Sequence, residues 1–202
     1  MPVDGRVARG DATRRIVLRR AVDIASVEGL EGLSLGRLAT ELELSKSGVF
    51  ALFGSKEELQ LAAIETASAI FAENVVGPTK EVEPGIARLR ALCANWLDYS
   101  ERRVFPGGCF FYNTGAEFDA RTGRVHDALA NASRAFAEFI RTAVVEAKKA
   151  GHLRESVEVN RLAFELHALG RAANADSVMF GGTEPYALAR AAITARLDDA
   201  TS

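Results

Sequence analysis

Ser34 to Leu59 reads SLGRLATELELSKSGVFALFGSKEEL, and this stretch decides the fold. Leu35, Leu38, Ala39 and Leu42 recur at i, i+3, i+4 and i+7, the spacing of one helical face. Ser34 stands in front as an N-cap, able to accept from an N–H that has no partner within the helix. Val49, Leu52 and Phe53 make a second inward face, and Ser45 caps its start. Glu43-Leu44-Ser45 between them is long enough only for a sharp corner with Leu44 turned in. Two short helices joined so tightly form either an ordinary helical hairpin or a helix-turn-helix, whose second helix enters a DNA major groove. Periodicity alone leaves both open.

The residues themselves narrow the choice. Upstream lie the apolar pairs Ala21-Val22 and Ile24-Ala25, then Glu28-Gly29-Leu30-Glu31-Gly32. Leu35 and Leu38-Ala39 follow, then Leu44-Ser45-Lys46-Ser47-Gly48-Val49-Phe50, Phe53, and Ser55-Lys56-Glu57-Glu58-Leu59. In this order, Val17 to Leu59 closely resembles the N-terminal domain of the tetracycline-repressor (TetR) family of bacterial transcription regulators. The string S-K-x-x-[aliphatic]-[aromatic]-x-x-F-x-S-K-E-x-L is long and ordered, and the resemblance covers roughly a quarter of the chain.

The resemblance implies an all-α protein of about nine helices. Residues 1–60 would be a helix-turn-helix DNA-binding domain with a basic arm over 1–12, and residues 61–202 a helical ligand-binding and dimerisation domain. Lys46 to Leu52 would be the recognition helix. With Val49, Leu52 and Phe53 facing the core, Lys46, Ser47, Phe50 and Ala51 are left outward beside the cap Ser45. Lys46 can donate to phosphate or to guanine acceptors. Lys56, opening the next helix, adds its charge to exposed N–H groups that suit phosphate. Ser34 and Arg37 would meet the DNA backbone. The family usually has tyrosine where Phe50 stands and often histidine at Ala51. Both donors are missing here, which implies greater reliance on apolar contact, including thymine methyl groups, and on Arg37 and Lys46.

Composition agrees without adding detail. The 202 residues, 48% hydrophobic and 26% charged, suit a globular protein with a buried core. The net charge of −2 says little, but residues 1–20 hold six arginines (Arg6, Arg9, Arg14, Arg15, Arg19, Arg20) against Asp4 and Asp11. Basic charge beside a helix-turn-helix is a footprint for phosphate; a solvated tail is the plain alternative for Arg6 and Arg9. The opening MPVDGRVARG has no apolar core of a signal peptide, and no apolar run nears the ~18 residues of a membrane span. The expectation is a cytoplasmic protein with reduced thiols and no membrane partner.

Taken in order, the chain reads as helical throughout. A first helix is expected over Asp11 to Glu28, with Val17, Leu18, Ala21, Ile24 and Ala25 buried and Gly29 ending it. The helix capped by Ser55 runs to about Val76 and stops at Gly77-Pro78, and Glu81 to Gly85 is a linker. Helices follow over Pro84 to Arg102, Thr122 to Ala150, Asn160 to Phe180 and Glu184 to Leu197, with the aromatic segment CFFYNTGAEF at Cys109 to Phe118.

In the family, the second domain takes an inducer, and the resemblance implies a small-molecule effector here. Ligand sites are mostly apolar with a few polar groups. Trp96, Tyr99, Phe110, Phe111, Tyr112, Asn113 and His126 offer that mixture, with His167 and Asn174 as polar groups; plain core is the alternative for each. Cys109 follows Gly107-Gly108 at the start of a helix, a setting that activates a thiol, although a small buried hydrophobe would look the same. One short recognition helix reads few bases, so a homodimer on a palindromic operator is expected. Leu162, Leu166 and Leu169 on one late helix and Ala189, Ala192 and Ile193 on the other are the interface candidates. No enzymatic constellation, metal spacing or cofactor motif is present: His126, His152 and His167 are scattered, and no GxSxG or phosphate-binding glycine loop occurs. The readings are therefore a ligand-responsive regulator, most simply a repressor, or a helical small-molecule-binding protein with weak or no DNA binding.

Overall fold

A computed structural model describes the backbone from Gly5 to Thr201 and the side chains from Gly10 onward. Among the described residues there are nine α-helices: α1 (Gly5–Glu28), α2 (Leu35–Glu41), α3 (Lys46–Phe53), α4 (Lys56–Phe71), α5 (Ile86–Glu101), α6 (Phe110–Phe118), α7 (Arg124–Lys149), α8 (Val159–Phe180) and α9 (Glu184–Ala200). A wider π winding over Ala72–Val76 and a tighter 3-10 turn over Gly77–Glu81 separate α4 from α5. The only pairing of strand type among them is an isolated bridge between Leu153 and Thr201. No helix of the described residues is long and apolar enough to cross a membrane.

α1 starts six residues before the expected Asp11. Arginine and alanine are good helix formers, and one interior glycine, Gly10, costs only about 1 kcal/mol. The arm expected over residues 1–12 is therefore helical from Gly5. Residues 1–4, and the side chains of Arg6 and Arg9, lie outside the described residues.

The chain divides into two compact units, and one cut does not separate them. The first joins the residues up to Ala69 with Phe105–Leu129; the second joins Ile70–Val104 with the residues from Ala130 on. In the first unit, α1 presents Val17, Ala21, Val22 and Ala25 to a core that includes Leu38, Val49, Leu59, Phe105 and Phe110, all buried. Burying each large apolar side chain contributes about 1.5–3 kcal/mol. α6 lies on α1 at very close range. A Cβ on Gly107 would stand 1.8 Å from the Ser26 carbonyl oxygen, so only glycine fits there. Gly107 N donates to Ser26 Oγ at 3.1 Å, and Asn113 Nδ2 donates to Ser26 O at 2.5 Å.

In the second unit, α5, α8 and α9 pack on one another around Leu89, Trp96, Leu162, Leu166, Ile193 and Leu197. Gly170 admits the Trp96 ring, which a Cβ would approach to 2.2 Å. A polar chain crosses this core: Tyr186 Oη donates to Ser100 Oγ (3.0 Å), and Ser100 Oγ donates to Asn174 Oδ1 (2.7 Å). Arg103 completes it, donating to Tyr186 Oη and Ser177.

The expected interface residues lie mostly inside this chain. Leu162, Leu166, Ala189 and Ile193 are buried inside the subunit, and Leu169 and Ala192 are half-buried. α8 packs on both α5 and α9, and these neighbours account for the burial. The outward apolar side chains are instead Phe164, Val178, Met179 and Phe180 on α8 and Leu188 on α9.

Gly107→Ala should lower stability by about 3 kcal/mol, the upper end of forced overpacking, because backbone closes the site. Gly54→Ala, at positive φ (73°) but in open space, bears backbone strain without a clash and should cost less. Urea-unfolding midpoints of the two variants measure the difference.

Candidate functional site

α2 and α3 form the expected tight pair, and both caps are in place. Ser34 Oγ accepts from Arg37 N, and Ser45 Oγ accepts from Gly48 N, each at 3.1 Å. Each hydroxyl keeps its own O–H for an outside acceptor. The corner is made by Glu43 in the left-handed region (φ 56°), with Leu44 N donating to Ala39 O at 2.8 Å. Val49 and Phe53 are buried and Leu52 half-buried, which turns Lys46, Ser47, Phe50 and Ala51 into solvent. Phe50 is 57% exposed, so it is not absorbed into its own domain. Arg14 on α1 anchors the end of α3. It donates to Leu52 O at 2.9 Å, a carbonyl in the last turn with no partner inside the helix, and its guanidinium lies 4.7 Å from the Phe53 ring centre.

The cations around α3 are partly committed. Arg37 donates through both Nη atoms to the Glu28 carboxylate (2.5 and 2.7 Å) and through Nε to Glu41 (2.7 Å). These hydrogen bonds raise its pKa further and hold the Glu28 and Glu41 carboxyls below their usual range. Arg20 also pairs with Glu41 at 2.6 Å. Three of Arg37's five N–H groups are thus used, leaving two for another acceptor, with the fork already held in place. Lys56 Nζ donates to the Glu31 carbonyl (2.8 Å) and carboxylate (2.7 Å), leaving one of three protons. Arg14, Arg19 and Arg20, counted from sequence as part of a basic patch, hold α3, Asp23 and Glu41 respectively.

The residues expected to line one ligand site fall into different compact units. Cys109, Phe110, Phe111, Tyr112, Asn113 and His126 belong to the first. There Phe110 is fully buried, Phe111 and Tyr112 are half-buried, Asn113 is bonded to Ser26 and Gly107, and His126 Nδ1 lies 2.9 Å from Asp127 Oδ1. Cys109 caps α6 and is buried. Trp96, Tyr99, His167 and Asn174 belong to the second unit. Trp96 stacks on His167 (ring centres 5.5 Å apart) and meets Phe136 edge-on at 4.9 Å; Phe71 touches both Phe136 and Tyr99. Burial, and then the Arg171 charge, lower the His167 pKa, so its ring is neutral at pH 7. Burial pushes the Cys93 thiol up to about 12, leaving it unreactive at neutral pH. Tyr99 and Asn174 are fully enclosed. No group of three or more metal-ligating side chains occurs among the described residues.

Sequence reading missed Glu117. Its carboxylate accepts from Leu30 N (2.7 Å) and Glu31 N (2.9 Å), fixing the turn between α1 and α2. Nothing in a lone glutamate near the end of a short helix signals two backbone amides 86 residues earlier.

Residues 85–193 match a family model described as Tetracyclin repressor-like, C-terminal domain. No curated protein sequence matches the chain. Among solved structures, a TetR transcriptional regulator from Chloroflexus aurantiacus J-10-FL superposes with a TM-score of 0.88 at 24% identity, over 96% of this chain and 98% of that one. A regulator from Saccharomonospora viridis in complex with choline gives 0.80 at 16% identity, over 93% and 96%. AibR in complex with isovaleryl coenzyme A and operator DNA gives 0.70 at 18%, over 90% and 96%. At these identities the likeness establishes a shared fold.

The depressed His167 pKa has a definite sign. Between the folded value and the ordinary 6.5, the unfolded chain binds more protons, so this share of stability is full above pH 6.5 and lost as pH falls through the folded value. His167→Phe removes that loss. Melting temperatures from pH 7.5 to pH 5 should therefore shift in the variant's favour as pH falls.

Proposed function

We propose a function from what this chain is: it belongs to the tetracyclin repressor-like family. It acts in the cytoplasm as a homodimeric DNA-binding transcriptional regulator, a repressor released from a palindromic operator by a small molecule. The observation that carries this reading is the outward face of α3, where Lys46, Ser47, Phe50 and Ala51 all stand in solvent on a helix braced from behind. A large aromatic held out on a helix face is available to an apolar partner. Thymine methyl groups in a major groove supply one. Lys46, Arg37 and Lys56, with the Ser34, Ser45 and Ser47 hydroxyls, supply donors for phosphates around it.

The dimer rests on the outward faces of α8 and α9. Phe164, Met179, Phe180 and Leu188 are 71%, 75%, 80% and 64% exposed on the single chain, an apolar surface that a second copy would cover. The effector is assigned to the second unit, near Trp96, Phe136 and the neutral His167, where aromatic faces and one imidazole suit a small, mostly apolar molecule. Choline and isovaleryl coenzyme A, bound by two relatives of the same fold, differ widely, so the effector's identity is specific to each member. Release would follow if the effector binds better to a state in which the paired reading helices no longer match the half-sites.

Two outcomes are expected. Duplexes selected from a random pool should bind with steep salt dependence, and Lys46→Ala should lower the log–log salt slope by about 2, one phosphate contact from each subunit of the dimer. Salt-independent or absent binding would favour the reading as a ligand-binding protein without DNA function. Phe164→Asp with Leu188→Asp should halve the sedimenting mass and abolish tight binding to a two-half-site duplex.

A further inference from the structure

We infer that Glu117 is a positioning residue for DNA contact, acting through the turn between α1 and α2 on Arg37 and Lys56; this rests on the DNA-binding reading above. The geometry begins at the last turn of α6. Both carboxylate oxygens of Glu117 are used, Oε2 on Leu30 N and Oε1 on Glu31 N. Gly29, left-handed at φ 79°, makes room for them: a Cβ there would stand 2.5 Å from Glu117 Oε2. The turn is therefore shaped to receive this carboxylate. Arg121, just beyond α6 and lying over the Phe118 ring at 4.5 Å, adds a second grip by pairing with Glu31 at 3.2 Å.

Both ends of the gripped segment hold a cation. Glu31 takes Lys56 at the start of α4 through its carbonyl and its carboxylate. Glu28, three residues earlier, takes Arg37 of α2 with both oxygens. Gln60 Nε2 donates to Leu30 O at 2.9 Å, so the same turn is also fastened to α4. One carboxylate on α6 thus sets where two phosphate-seeking cations stand, one on each side of α3. Without it, the turn loses its two amide bonds, and Glu28 and Glu31 no longer present Arg37 and Lys56 at fixed positions.

A merely electrostatic role predicts the opposite sign. Glu117 is an anion near a DNA-binding face, so removing its charge alone should tighten binding. Positioning predicts weaker binding. In the full-length dimer, with a selected duplex and a salt series, Glu117→Ala should bind at least about 10-fold more weakly, with a log–log slope shallower by up to about 4, two displaced cations in each of two subunits. Glu117→Gln keeps one acceptor oxygen and should fall between Glu117→Ala and wild type; it also carries the test if Glu117→Ala melts below the assay temperature. Unchanged or tighter binding by a folded variant, with the wild-type slope, overturns the inference while leaving the DNA reading intact. Failure of the wild type itself to select any duplex overturns the DNA reading, and this inference with it.

Discussion

The first unit depends on one close approach, Gly107 against the backbone of Ser26. No side chain fits between them, so α6 can rest on α1 only because residue 107 has none. From that contact the register of α6 follows. Asn113 and Glu117 are four residues apart and share one helical face. Asn113 reaches the Ser26 carbonyl, one of the last four of α1 that the helix cannot satisfy itself. Glu117 then meets the first amides beyond the helix end. In the Gly-Gly-Cys-Phe string, Gly107 serves this packing, and Cys109 and Phe110 are buried.

Electrostatics around α3 follow the same economy of fixed parts. Arg37 and Lys56 are neither idle nor fully neutralised, because each keeps a donor while carboxylates hold its position. Exposed pairs of this kind contribute little to stability. Their value lies in orientation: a guanidinium already fixed by Glu28 and Glu41 loses less freedom when it meets a phosphate. Phe50 and Ala51 lie exposed on the same helix, offering apolar surface beside these cations.

Much of this was legible in the sequence, for identifiable reasons. Helix positions follow from apolar spacing, serine caps and glycine stops, which are local signals. Ser34 and Ser45 cap as expected, and Val49 and Phe53 face inward while Phe50 faces out. What could not be read was pairing at long range. A stripe such as Leu162-Leu166-Leu169 declares a buried face but not whether the same chain or a second copy buries it. Here α5 and α9 do. The aromatic residues near 96–99 and 110–113 look like one set in sequence, yet they fall in different compact units. Only three-dimensional geometry separates a bonded asparagine, such as Asn113 or Asn174, from one awaiting a ligand.

The first unit is discontinuous in the chain, and this bears on how the protein is made and recombined. Its helix pair is synthesised early, but Gly107, Asn113 and Glu117 emerge only after α5 has left the ribosome. The reading helices therefore wait, during translation, for the segment that fastens them, and closure of so long a loop is a slow, non-local step. A chimera that grafts the helix-turn-helix of this chain onto a relative at a single junction near residue 60 would inherit a foreign α6. Wherever that α6 lacked the glycine or the glutamate, α1 would meet a side chain in place of Gly107, or Leu30 N would lose its carboxylate. Moving the helix-turn-helix of this chain with its own supports intact thus takes two crossovers, with α6 travelling alongside α1.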